Sequence, residues 1–102
     1  METAESFVAL VIYPSTPTGQ VGQADTMLRM VEANIRSMPG FIVGRVFLSE
    51  DGESVITLAE WRDRESFAQF RRSEFGRAAT HAVGELRPKA YWLRPYATVE
   101  PD

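Results

Sequence analysis

Trp61 and Thr57 are the pair in this chain whose types and spacing most readily serve chemistry. Both fall in the run Val55-Ile56-Thr57-Leu58-Ala59-Glu60-Trp61, where strand alternation stands them side by side on one face. Trp61 offers a flat aromatic wall and an indole N–H, and Thr57 a hydroxyl. The same two residues would serve equally as a core plug and a β-former. His81 is the sole histidine and the side chain most able to exchange a proton near neutral pH. Its neighbours Ala78, Ala79 and Ala82 equally suit a half-buried or surface helix position, and no second ligand stands near it to make a metal site. Phe67, Phe70 and Phe75 follow Trp61 at helical spacing, as core or as walls for a planar aromatic guest. Arg71, Arg72 and Arg77 suit solvent, although one of them could reach a phenolate or carboxylate. Tyr13 closes an apolar run and could turn its phenol to a cavity mouth. Tyr91, Trp92 and Tyr96 add aromatic surface that suits a dimer seam.

Several chemistries are absent from the sequence. With no cysteine there is no disulfide, no thiol nucleophile and no Cys-based zinc or iron–sulfur site. There is no glycine-rich phosphate loop, no Ser/His/Asp set and no carboxylate pair at metal spacing. A net charge of −3 argues against a phosphate-backbone partner, and the arginines after Trp61 are interleaved with Asp63, Glu65 and Glu74. The acidic start Met1-Glu2-Thr3-Ala4-Glu5 is unlike a secretory signal. No apolar run reaches the ~20 residues of a membrane span. The expected compartment is the cytoplasm, with neither nucleic acid nor membrane as partner.

The elements that must position these residues can be read in order. Phe7–Tyr13 is continuous, β-branched and stopped by Pro14, which predicts a strand buried on both faces. Pro14–Gly22 reads as a loop. Asp25 is a candidate cap for a helix whose apolar stripe is Met27, Leu28, Val31, Ile35 and Met38, ended by Pro39-Gly40. Phe41–Ser49 and Ser54–Trp61 predict a hairpin about Asp51-Gly52. Asp63 is a plausible cap for a helix from Arg64 to about Arg72, and Ser73 for another running to Val83. Leu86–Val99, broken by Pro88 and Pro95, predicts an irregular or edge strand. The 102 residues suit a single domain over 1–102 with an ordered core of about 6–98.

That order is βαββαβ, the α+β ferredoxin-like order with an antiparallel sheet. Both faces of the strands are apolar: Phe7, Ala9, Val11 and Tyr13 oppose Val8, Leu10 and Ile12. The helices can cover one face only, so the other predicts a second, identical sheet and hence a homodimer.

Tyr13-Pro14, Pro39-Gly40-Phe41, Asp51-Gly52, Ala59-Glu60-Trp61 and Pro88-Lys89-Ala90, at these spacings, resemble the antibiotic-biosynthesis monooxygenase family over nearly the whole chain. The resemblance implies two sheets packing as a dimeric α/β barrel, with one pocket per subunit. It also implies oxidation of an aromatic polyketide of the anthrone type to a quinone by dioxygen, with neither metal nor flavin, and so no cofactor. In that scheme the substrate loses a proton, its enolate carbanion reduces dioxygen, and a peroxy intermediate loses water. Trp61 matches the family's pocket tryptophan. Thr57 falls where those oxygenases carry an asparagine, Val46 and Phe67 where a member has tyrosines, and His81 where that member has an arginine. On that footing His81 becomes the candidate base or anion partner. Trp61, His81 and Thr57 are then the expected catalytic set, with Tyr13, Val46, Phe67, Phe70, Arg71 and Arg77 around the substrate.

Two other readings stand beside this one. Haem-degrading relatives of the same fold use an axial histidine, a helix tryptophan and a strand asparagine. Here Thr80 beside His81, Phe70 and the run Val8–Leu10 hold those places, which argues against haem. The other is a non-catalytic ligand-binding accessory protein of a biosynthetic pathway.

Overall fold

Strand β1 (Phe7–Pro14) forms where β-branched and aromatic residues are most concentrated, and it occupies the sheet interior. The computed structural model describes residues 6–102, so the acidic start at residues 1–5 lies outside it. After β1 come α1 (Gln20–Asn34), β2 (Phe41–Leu48), β3 (Ser54–Trp61), α2 (Arg64–Arg72), α3 (Glu74–Gly84) and β4 (Lys89–Leu93). The four strands make one antiparallel sheet in the order β2-β3-β1-β4. This is the ferredoxin-like α+β arrangement, with its second helix divided at Ser73.

Two elements, α1 and β4, differ in extent from the sequence reading. Helix α1 begins at Gln20, inside what reads as loop, and Asp25 is an interior position rather than a cap. Gly19 precedes it without a side-chain cap, and the first turn is fixed by tertiary bonds instead. The Gln20 side chain donates to the Ser49 carbonyl at 3.0 Å and the Ser54 carbonyl at 2.8 Å, clasping the helix start to the β2–β3 hairpin. The helix also stops at Asn34, and Met38 lies in the turn that follows, its N–H donating to the Ile35 carbonyl at 2.8 Å. Strand β4 is shorter than expected and lies at the sheet edge. Pro88 bounds it before and Pro95 after, and neither has an N–H to give to a ladder.

The other signals act locally as expected. Asp63 accepts from the Ser66 N–H at 2.8 Å and caps α2. The Ser73 hydroxyl accepts from the Gly76 N–H at 3.0 Å and starts α3. Gly40 takes φ +84°, a conformation that lets the chain leave the α1 turn and enter β2 beside Ser66.

The helices cover the sheet face that carries Phe7, Ala9, Tyr13, Val55 and Trp61. At one end Trp61, Phe7 and Ala9 pack with Ile35 and Phe70; at the other Tyr13 and Val55 pack with Met27. Trp61 is 1% exposed and Val55 0%; burying such a side chain favours folding by about 1.5–3 kcal/mol. On the opposite face Val8, Leu10, Ile12, Ile56 and Leu58 are only half-buried, so β1 is not enclosed on both sides within one chain.

Candidate active site

The strand register explains why a cavity lies between the two apolar plugs. Cross-strand partners form rows on the helix-facing side. The end rows hold large residues: Phe41, Trp61 and Phe7 at one end, and Leu48, Val55 and Tyr13 at the other. The two rows between them are Gly44-Ala59-Ala9-Trp92 and Val46-Thr57-Val11-Ala90. Apart from Trp92 at the edge, whose ring meets Phe67, the side chains there are too small to fill the space beneath the helices, and it stays open. The result is a cavity of about 300 Å³, roofed by Met27, Met30 and Val31 of α1 and by Ala79, Thr80 and Gly84 of α3. That volume and its predominantly apolar walls are those of a small-molecule site.

Trp61 stands in the wall of this cavity and is held by three phenyl rings. Phe70 stacks on it with centroids 5.5 Å apart at 27°, while Phe41 and Phe67 meet it edge-on at 5.4 and 5.8 Å. Its indole Nε1 is buried and has no hydrogen-bond partner among the described residues. A buried donor left unpaired costs about 1–3 kcal/mol, so this N–H is a feature of the wall that calls for an explanation.

Tyr13 and Thr57 supply the other polar atoms of the sheet side. Burial pushes the Tyr13 phenol above its ordinary value, and its contact with the Thr57 hydroxyl offsets part of that rise. Tyr13 therefore remains a neutral donor near pH 7. It is 6% exposed, within the core at one end of the cavity rather than at a mouth.

Seven of the residues singled out from the sequence line this cavity: Tyr13, Val46, Thr57, Trp61, Phe67, Phe70 and Arg71. His81 and Arg77 do not. Both are exposed on α3, whose cavity side is formed by Ala79, Thr80 and Gly84. One residue step turns a helix by about 100°, which carries His81 off the lining that Thr80 joins. Phe75 is 56% exposed and is not core. Trp92 is on the cavity side of β4, its ring 5.1 Å from Phe67. Tyr91, its neighbour, faces the other way, and Tyr96 lies beyond β4, fully exposed.

Thr80 and Trp92 are among the cavity residues that the sequence reading did not place at the site. A signal for Thr80 was present: Gly76, Thr80 and Gly84 recur every four residues, a stripe of small residues along one side of α3. The described residues hold no cluster of His, Asp or Glu able to bind a metal ion, and no helix among them is long and apolar enough to cross a membrane.

Comparison with known proteins follows the same outline. Residues 8–82 match the model of the antibiotic biosynthesis monooxygenase family. The chain is 33% identical over 93% of its length to the tetracenomycin-F1 monooxygenase of Streptomyces glaucescens, covering 76% of that protein. Among solved structures it resembles the ActVA-Orf6 monooxygenase of Streptomyces coelicolor in complex with nanaomycin D, at 28% identity and TM-score 0.77, over 97% of this chain and 95% of that one. It shares its fold with SnoaB, a cofactor-independent oxygenase from Streptomyces nogalater, at 15% identity and TM-score 0.72, over 96% and 97% of the two chains.

Proposed function

Because the chain belongs to the antibiotic biosynthesis monooxygenase family, we propose that it oxidises a planar polycyclic aromatic polyketide of the anthrone type to a quinone with dioxygen, without a cofactor. The observation that carries this reading is an apolar, sheet-backed cavity walled by Trp61, whose buried N–H has no partner among the described residues. The tetracenomycin-F1 and ActVA-Orf6 relatives support the class of substrate.

The chemistry asked of the protein is modest. The CH₂ group flanked by the aryl rings loses a proton, leaving an enolate whose charge spreads onto the ketone oxygen. That electron-rich anion reduces dioxygen, and a C–O bond forms between the two. The resulting hydroperoxide loses its remaining C–H proton and expels water, so one oxygen atom enters the ring and the other leaves as water. No carboxylate or imidazole is among the lining residues. Proton loss therefore depends on stabilising the anion more than on a strong base. The Trp61 N–H, the Thr57 and Thr80 hydroxyls, the neutral Tyr13 phenol and the Arg71 guanidinium are among the donors on the lining residues for that oxygen. The apolar walls keep water from the peroxide. Oxygen uptake with an anthrone, coupled to appearance of quinone absorbance at one mole per mole of dioxygen, is the expected result. Binding of the anthrone without oxygen uptake would leave a ligand-binding accessory protein in its place.

In the same reading the working unit is a homodimer. The sheet face away from the helices carries Leu10, Ile12, Ile56 and Leu58 half-buried, with Phe47 and Tyr91 each 44% exposed. A contiguous apolar face of this kind suits a second sheet. Sedimentation should give the mass of two chains, and Leu58→Glu should return it to one.

A further inference from the structure

We propose that a recess beside the main cavity, lined by arginines, is a subsite for a carboxylate substituent on the aromatic substrate; the proposal rests on the oxygenase reading above. The recess has a volume of about 260 Å³ and is formed by Phe7, Arg64, Phe67, Arg71, Arg72 and Trp92. Three of these, Phe67, Arg71 and Trp92, also line the main cavity. The two spaces therefore adjoin across these three side chains, and a substituent of the inner guest would reach the outer by displacing the exposed Arg71 side chain.

The two spaces differ in character. The inner is almost wholly apolar on its sheet side. The outer gathers three guanidinium groups in a chain whose net charge is −3. Arg72 is already matched, its Nη2 lying 2.9 Å from Glu65 Oε2. Arg64 and Arg71 have no ion pair among the described residues. Instead the Arg71 guanidinium lies 5.4 Å from the Trp92 ring centroid and 5.8 Å from that of Phe67, and the Arg64 guanidinium lies 5.4 Å from that of Phe7. Resting on aromatic rings limits the freedom of both side chains and leaves N–H edges able to donate in pairs. Two oriented, uncompensated guanidinium groups beside an apolar slot fit a planar carboxylate joined to a flat aromatic body.

Equilibrium binding separates this proposal from the reaction itself. The probes are anthraquinone-2-carboxylate and its uncharged 2-hydroxymethyl counterpart, which cannot be oxidised further, with affinity read by calorimetry. The protein should bind the acid about tenfold more tightly than the alcohol, and the preference should fall with added salt. The single variant Arg64→Gln should lose most of the preference while keeping its affinity for the alcohol, and the double variant Arg64→Gln/Arg71→Gln should lose the preference entirely. Arg72→Gln and the charge-conserving Arg64→Lys/Arg71→Lys should retain most of it. Equal binding of both compounds by the parent chain, or a preference that survives the double glutamine variant, overturns the subsite and leaves the oxygenase reading standing. Failure of both compounds to bind overturns the two together. These arginine side chains are exposed, so an unchanged thermal melt is expected for each variant.

Discussion

Trp61 and Phe70 stack with ring centroids 5.5 Å apart and 27° between their planes, which fixes the indole from the α2 side while its N–H stays unpaired. Packing and hydrogen bonding can therefore be separated at this residue. Trp61→Phe keeps an aromatic ring among Phe41, Phe67 and Phe70 and removes the donor. The expected outcome is a fall in kcat of about a hundredfold, typical for loss of one donor to a developing oxyanion. The smaller ring should also lower stability by on the order of 1–2 kcal/mol. An oxygen electrode and a thermal melt measure the two effects independently.

His81 supplies the opposite expectation. As the sole histidine it is the natural candidate for proton handling, yet its side chain is exposed and off the cavity lining. His81→Ala should leave the rate of anthrone oxidation and its pH profile close to those of the parent chain. Loss of a limb near neutral pH in that profile would return the histidine to the reaction.

Tyr13 titrates against the fold. Its raised phenol pKa means that the folded chain holds the proton to higher pH than the unfolded chain does. The stability gained by keeping it neutral is complete below the ordinary phenol value near 10 and is lost as pH climbs through the raised one. Tyr13→Phe has no proton to lose. Its Tm should decline less steeply than the parent's above about pH 10, as followed by circular dichroism. Thr57→Val should steepen the parent's decline, because it removes the contact that favours the phenolate.

Gly40 is where the backbone tolerates least. At φ +84° an added Cβ is strained, and it would overlap the Ser66 side chain under the start of α2. Gly40→Ala should lower stability by on the order of 1–3 kcal/mol. At about 4–8 °C of Tm per kcal/mol for a chain of this size, scanning calorimetry resolves that loss readily.

These residues also mark how far the sequence could be read. Strands β1 and β3 were legible because a β-branched run admits little else, and the Asp51-Gly52 hairpin because turn chemistry is local. Asp63 was legible as a cap because its partner Ser66 is three residues away. The start of α1 was not, because Gln20 is held by carbonyls of Ser49 and Ser54, and such distant partners leave no mark on neighbouring sequence. Asp25 looked like a cap by residue type alone. At the site, Thr57 and Trp61 declared themselves through simple alternation. Trp92 needed the pairing of β4 with β1, and His81 needed the rotation of α3 about its axis, neither of which residue type discloses.

Strand β4 bonds to β1 alone and is exposed along its whole length, yet it brings Trp92 to the cavity. The chamber is thus walled by its firmest elements at Trp61 and by its most weakly anchored one at Trp92. That border strand can be varied cheaply, since insertions and replacements there disturb a single ladder. Trp61, buried among three phenyl rings, has no such latitude, although its ring and that of Trp92 both meet Phe67.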